Sequence, residues 1–220
     1  MPAEPFVITV LAGVNGAGKS SVGGAHLERN GGVVYNPDVV ALAASRVSSS
    51  LTGAEANAYA WQRGRDLLAA AIANRTDFTF ETRLGGETIT ALLAEAARKA
   101  AMLNHWYVGL SSVDLHLRRV ASRVKRGGHP IPEEAIRLCW ISSRVNRVKL
   151  LPCLCNLRVF DSSAEWGPDK SEAPEPRLVL SVENRTIEFP GPAQVKDTPE
   201  WARSIVVAAF KTFPHPPYLV

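Results

Sequence analysis

Cysteine is scarce in this 220-residue sequence: Cys139, Cys153 and Cys155 form an odd set without framework spacing. A disulfide-stapled scaffold is excluded, and the thiols read as reduced groups of a cytoplasmic protein. Long apolar runs are lacking too. Stretches such as Phe6 to Val14 fall short of the ~20 residues that span a bilayer, so no membrane partner is expected. Met1-Pro2-Ala3-Glu4-Pro5 carries no basic patch ahead of an apolar stretch, unlike a secretory signal. Cys153-Leu154-Cys155 with His129 lacks the second Cys or His pair of a zinc site. Aromatic residues do not interleave with the basic ones as a single-strand nucleic-acid platform requires, which argues against nucleic acid. No repeat and no long low-complexity stretch is present.

What remains is ordinary globular composition, with 46% apolar and 21% charged residues. That excludes wholesale disorder, collagen and coiled coil. The length suits one domain, or one with a small appendage, able to bury its own core without a metal staple. The formal charge is +4, and arginine outnumbers lysine 18 to 7. Arginine suits fork-like gripping of phosphate, on a nucleic acid or a phosphorylated small molecule alike.

Apolar runs and glycine-rich breaks alternate over the first ~160 residues. This pattern predicts an α/β fold of three layers, with a central, mainly parallel sheet covered on both faces. Strands are predicted at Phe6–Ala12, Val33–Tyr35, Asp77–Glu81, Leu103–Leu110 and Leu157–Phe160. Helices are predicted to start near Lys19 and to cover Val39–Val47, Ala54–Asn74 and Gly86–Ala101. Another begins after a Ser111 cap, with Val113, Leu117, Val120 and Val124 facing the core, and stops at Gly127-Gly128. The next has Pro132 as its first residue. A surface loop from Ser162 to Pro176 precedes a hairpin, Arg177–Val182 with Thr186–Phe189, and a C-terminal helix capped by Thr198. Residues 1–162 therefore read as a core carrying an arginine-rich lid over about 118–147, and 163–220 as loop, hairpin and helix packed on it.

Gly13-Val14-Asn15-Gly16-Ala17-Gly18-Lys19-Ser20 fits G-x-x-x-x-G-K-[ST] at every fixed position, between a buried strand and a helix start. Such a loop turns main-chain amides towards phosphate oxygens at the helix N-terminus. Gly13, Asn15, Gly16, Ala17, Gly18, Lys19, Ser20 and Ser21 are thus the expected triphosphate cradle. Lys19 reaches the outer phosphates and the Ser20 hydroxyl holds Mg²⁺. The loop indicates a nucleoside triphosphate, not which reaction.

No apolar strand ends in an obvious Walker-B Asp or Asp-Glu, which favours a small-molecule kinase over a motor or switch. Acids do stand at strand ends, where ligands of parallel sheets bind: Asp38, Glu81 and Asp161. Asp38 is the candidate base for an acceptor hydroxyl, with capping of the helix after it as the alternative. Glu81 orders Mg²⁺-bound water or a substrate hydroxyl, or else pairs with Arg83. Arg119, Arg123 and Arg126 recur at i, i+4 and i+7 with no acid between Arg118 and His129. They form either a triphosphate-gripping face or a solvated basic one. Arg137, Arg144 and Arg147 continue the basic character. Ser111, Ser112, Asp114 and His116 lie too close together for a catalytic triad.

Taken together, "GVNGAGKS", "NPD", "FETRLGG", "RVASRVKRGGHPIPEEAI" and an Asp-Ser pair after a strand resemble the zeta toxin family. They are closest to its compact stand-alone branch, over about residues 6 to 163. The resemblance implies a P-loop kinase with ATP or GTP as donor, which phosphorylates a hydroxyl of UDP-N-acetylglucosamine and is blocked by a small antitoxin. By motif it gives triphosphate and Mg²⁺ to Lys19 and Ser20, the base to Asp38, substrate contacts to Asn36, Glu81 and the position of Arg83, and lid contacts to Arg119, Arg123 and the less fixed Arg126. Two departures stand out. Arg83 replaces a small hydroxyl residue, and Arg137-Leu138-Cys139-Trp140 stands where the branch has more arginines, leaving Arg144 or Arg147 to compensate. They point to an alternative: a kinase for another acceptor, or a weakened nucleotide-binding module.

Overall fold

In a computed structural model, which describes residues 5–24, 33–48, 50–128, 130–165 and 174–215, the sequence Phe-Val-Ile-Thr-Val-Leu-Ala forms strand β1 (Phe6–Ala12). β1 is buried along nearly its whole length because parallel neighbours flank it on both sides. They are β2 (Phe78–Thr82) and β3 (Ala101–Gly109). β4 (Asn156–Asp161) continues the parallel set beside β3. β5 (Arg177–Glu183) and β6 (Thr186–Phe189) then add antiparallel strands, giving the order β2-β1-β3-β4-β5-β6. The fold is the expected mixed α/β architecture. Asn184 and Arg185 adopt left-handed φ of 47° and 64°, the conformation that lets a two-residue turn follow strand twist. The hairpin is therefore part of the central sheet.

The helices are α1 (Pro37–Val47), α2 (Gly53–Asn74), α3 (Glu87–Arg98), α4 (Val113–Lys125), α5 (Glu133–Leu150) and α6 (Arg203–Thr212). Alternation along the strands splits the core. Ile8, Val10 and Ala12 join the main cluster with Leu68, Leu93, Leu103 and Leu150, whereas Leu11, Val108 and Leu110 face Ala17 and Leu115 on the other side. Val14, Val120, Ile136 and Cys139 form a third cluster under α4 and α5, with Val113, Leu117 and Val124 half-buried against it. The apolar stripe expected on α4 thus packs inward and turns the arginines of that helix outward.

Several boundaries differ from the sequence reading. The expected strand at 33–35 reduces to one bridge, Tyr35 to Phe80, because Asn36 and Pro37 begin α1 at once and proline has no N–H for a ladder. The turn Ser20–Gly24 after the phosphate loop is π-helical, and the rest of that expected helix lies outside the described residues, as does His129. Ala100 has φ 63°, so α3 stops short of Ala101, which opens β3 instead. Ser112 caps α4 by accepting from the Leu115 amide, while Ser111 donates its own amide to Ser163 Oγ. Pro132 is the cap of α5 rather than its first residue. Thr198 closes a 3-10 turn over Pro192–Asp197, and a second, Glu200–Ala202, leads into α6. That offset still buries Trp201 and Ile205, leaving Phe210 partly covered.

Trp201 lies against the end of β3, where a Cβ built on Gly109 would stand 2.3 Å from its ring. Gly109→Ala is expected to lower unfolding stability by about 1–3 kcal/mol in urea titration, the usual cost of overpacking. An unchanged midpoint would show that the ring gives way freely.

Candidate functional site

The site forms where β1 ends. Gly13 has φ +148°, and a Cβ there would meet Val108 O at 2.3 Å, so only glycine lets the loop leave β1 so close to β3. Gly16, with φ +83°, lies under α4, where a Cβ would come within 3.0 Å of His116 O and 3.3 Å of Arg119 Cβ. The Ala17 amide donates to Val14 O at 3.1 Å and closes the turn. A side chain at Gly13 would run into β3 and one at Gly16 into α4, so glycine keeps the loop packed against both. A loop of this spacing between a strand and a helix start fits a phosphate-bearing ligand.

At the loop's end Lys19 is buried, with Nζ 3.3 Å from Glu81 Oε1. Glu81 sits opposite Leu11 at the end of β2. Its Oε2 accepts from Ser20 Oγ and from Asn36 Nδ2, both at 3.0 Å. Of the alternatives for Glu81, an ion pair forms, but with Lys19 rather than Arg83, since neighbouring strand ends bring residues 62 positions apart together. Ser20 and Glu81 are the pair that would hold Mg²⁺ beside the outer phosphates, a hard cation that takes few protein oxygens. Among the described residues no group of three or more His, Cys, Asp or Glu could hold a metal by itself.

Asn36 settles whether Asp38 caps the helix. Its Oδ1 accepts from the Asp38 and Val39 amides at 2.9 and 3.4 Å, which makes Asn36 the cap of α1. Asp38 lies in the first turn, its carboxylate free to reach across the cleft to Arg123 Nη1 at 3.3 Å. Both side chains are about a third or more exposed, at 40% and 34%, so this pair contributes little stability and opens easily.

Arg119 and Arg123 project from α4 into the same cleft as Lys19, Ser20, Ser21 and Asp38, a space of about 930 Å³ that Arg126 also borders. Arg119 Nη2 donates to Ser162 O and Ala164 O at 2.7 and 3.0 Å, tying α4 to the segment after β4. Arg126 is exposed and donates to Ser122 O within its own helix. Arg83 is exposed and borders a smaller cavity of about 200 Å³ that adjoins the cleft at Lys19, Asp38 and Glu81.

The remaining candidates lie elsewhere. Arg137 pairs with Glu133 and Asp114. Arg144 stacks on Trp140 at 3.7 Å, and Arg147 is fully buried over the Tyr107 ring at 5.1 Å, where burial lowers its pKa to about 9. Neither borders the cleft, so neither replaces a lid arginine. Position 139 faces the core under Gly85, and Leu138 points to solvent. Asp161 accepts from the Ser163 amide at 3.0 Å and braces the turn after β4.

One contact escaped the sequence reading. His116, 1% exposed, places Nδ1 2.8 Å from Asn15 O, joining α4 to the phosphate loop across 101 positions. The carbonyl can only accept, so Nδ1 carries the proton. The sequence signal was its spacing three residues before Arg119, on the same helix face. Burial holds its pKa down to about 4, against the opposing effect of the Asn15 bond and with further lowering by Lys19. The unfolded chain, with an ordinary histidine pKa, binds this proton first as pH falls. Stability is therefore expected to drop between about pH 6.5 and 4, by on the order of 3 kcal/mol from this group. Chemical unfolding across that range should show a shallower drop for His116→Gln, and identical slopes would contradict the assignment.

An AAA domain family model (AAA_33) matches residues 8–139, from β1 into α5. An uncharacterized protein of Haemophilus influenzae is 26% identical over 125 residues, covering 57% of this chain and 86% of that protein. The crystal structure of AvrRxo1-ORF1:AvrRxo1-ORF2 with sulphate ions has a TM-score of 0.64 at 15% identity, covering 90% of this chain and 65% of its own. This chain thus spans just under two thirds of that neighbour's length. The same complex with ATP also gives 0.64 at 16% identity, with the same coverages of 90% and 65%. The PezAT toxin-antitoxin system of Streptococcus pneumoniae gives 0.54 at 13% identity, covering 81% of this chain and 71% of its own. At such identities the likeness is one of fold. With more than half of its length inside the family model, including the phosphate loop, β2 with Glu81 and the arginine-bearing α4, the chain belongs to the AAA domain family.

Proposed function

We propose that this protein is a zeta-toxin-like kinase. It transfers the γ-phosphoryl group of ATP or GTP to a hydroxyl of a UDP-activated amino sugar of the UDP-N-acetylglucosamine type, as the cytoplasmic toxin of a toxin-antitoxin pair. The observation that carries the reading is Asp38: Asn36 takes over the capping of α1, and Asp38 faces Arg123 across the cleft that Lys19 enters. The fold likeness to PezAT and to the AvrRxo1 pair supports an antitoxin partner, since both of those proteins are described together with a second component. The ATP in one AvrRxo1 structure supports a nucleotide on this loop.

The chemistry follows from the residues. Loop amides and Lys19 hold the triphosphate, and Lys19 exchanges Glu81 for phosphate oxygens. Ser20 and Glu81 would hold Mg²⁺, which would supply charge neutralisation to the triphosphate. Glu81, released by Lys19, stays beside Ser20 Oγ. Asp38 accepts the proton of the acceptor hydroxyl as that oxygen bonds to the γ-phosphorus. The bond from that phosphorus to the β-phosphate oxygen breaks, and the nucleoside diphosphate leaves. Arg123, displaced from Asp38, and Arg119 face the charge that develops on the moving phosphoryl.

Purified protein with ATP, Mg²⁺ and UDP-N-acetylglucosamine is expected to yield a phosphorylated sugar nucleotide by mass spectrometry. Asp38→Asn should lower the rate at least ~10²-fold with ATP affinity preserved, and absence of product from a panel of UDP-sugars would reject the sugar-nucleotide reading. Lys19→Met should weaken ATP binding by about 10-fold or more, the loss of one charge-assisted contact, read by calorimetry.

A further inference from the structure

A second polar cluster lies under the sheet, away from the cleft. Arg147 on α5 is 0% exposed, and its Nε, Nη1 and Nη2 have no hydrogen-bond partner among the described residues. Its guanidinium carbon stands 5.1 Å from the centre of the Tyr107 ring. Two residues before Tyr107, on the same face of β3, His105 is also buried, and neither of its ring nitrogens has a partner. Burial, and then the charge of Arg147, hold the His105 pKa well below its ordinary value, so the ring is neutral and keeps one N–H. The Tyr107 and Ser143 hydroxyls share one hydrogen bond at 3.1 Å, which uses one of their protons and leaves the other. Trp201, its ring 6.3 Å from that of Tyr107, has an unpartnered Nε1 as well. The cluster is thus rich in donors and poor in acceptors. The chain has no acid to spare for it: Glu81 is the one buried carboxylate among the described residues, and Lys19 holds it.

We propose that Arg147, His105 and the Tyr107–Ser143 hydroxyl pair enclose a small monovalent anion of the halide class, the buried counter-ion of Arg147. A guanidinium does not shed its proton in a protein, so Arg147 carries a full charge out of water. A lone buried charge is strongly destabilising, and the face of Tyr107 offsets only part of that. Water fits the inventory poorly. It would accept from these donors but must then place two protons of its own, with one imidazole nitrogen and the hydroxyl oxygens to take them, and it leaves the charge unbalanced. A halide accepts from several donors at once and donates nothing. Enclosure sets the size: Arg147, His105, Tyr107 and Ser143 are each at most 2% exposed, which suits a single-atom ion rather than a phosphate. Held there, the ion ties β3 to α5, the helix whose Asn146 donates to Leu84 O and Gly86 O in the loop after β2. The site is structural and independent of the kinase reading.

Urea unfolding of the full chain tests this, with sodium chloride or bromide replacing sodium gluconate at constant ionic strength. Above the halide's Kd, the folding equilibrium constant is expected to rise about tenfold for each tenfold rise in halide. Arg147→Met, which keeps the length of the side chain without its charge, should remove that dependence, and Arg147→Lys should keep part of it. A crystal of the unaltered protein grown in sodium bromide should show an anomalous-scattering peak within hydrogen-bonding reach of the Arg147 guanidinium, a readout that stands even where a variant fails to fold. Water without bromide at that place, a folding constant indifferent to halide, or a halide dependence that survives Arg147→Met would each overturn the site. A bromide peak with no effect on folding would mark an adventitious ion only, and would overturn it too.

Discussion

The ion pair between Lys19 and Glu81 organises everything else at the cleft. A buried lysine and a buried carboxylate would each be costly alone, and together at 3.3 Å they offset much of that cost. Glu81 also gathers Ser20 and Asn36 at 3.0 Å each, so one carboxylate links the phosphate loop, the end of β2 and the start of α1. On the proposed reading the pair is a placeholder: a triphosphate brings more negative charge than Glu81 has, and Lys19 would exchange one partner for the other.

The same logic extends outward. Once Asn36 uses Nδ2 on Glu81 and Oδ1 on the backbone of α1, Asp38 has no capping duty. Its carboxylate faces Arg123 instead, in a half-exposed pair weak enough to yield to ligand. α4 is fixed over one turn of its N-terminal half, by His116 on Asn15 and by Arg119 on the carbonyls of residues 162 and 164. Its arginines therefore sit on a helix docked to the glycine-rich loop.

The sequence made the fold and the cradle legible because both are local. A buried apolar run, an unbroken glycine loop and the turn at Asn184-Arg185 each declare themselves within a few residues. What it concealed was long-range pairing. Nothing near Glu81 says that it meets Lys19 rather than Arg83, since that depends on β2 lying beside β1. Whether Asp38 caps α1 turned on Asn36, a residue able to cap and to reach Glu81 at once. Arg147, read as continuing the basic character and as a substitute for a lid arginine, is fully buried over the Tyr107 ring, because helix spacing alone does not tell which side of α5 meets Tyr107. Helix spacing likewise did not tell that Cys139 joins the cluster under α4 and α5 while Leu138 is exposed.

The account's central claim is that this cleft exchanges an internal carboxylate for a triphosphate. A crystal structure with Mg²⁺ and a non-hydrolysable ATP analogue measures this directly. The outer phosphates should lie on the amides of residues 15–20, with Lys19 Nζ moved from Glu81 to phosphate oxygen and Arg123 turned from Asp38 towards the nucleotide. A nucleotide bound elsewhere, or bound while the Lys19–Glu81 pair stays closed, would contradict it.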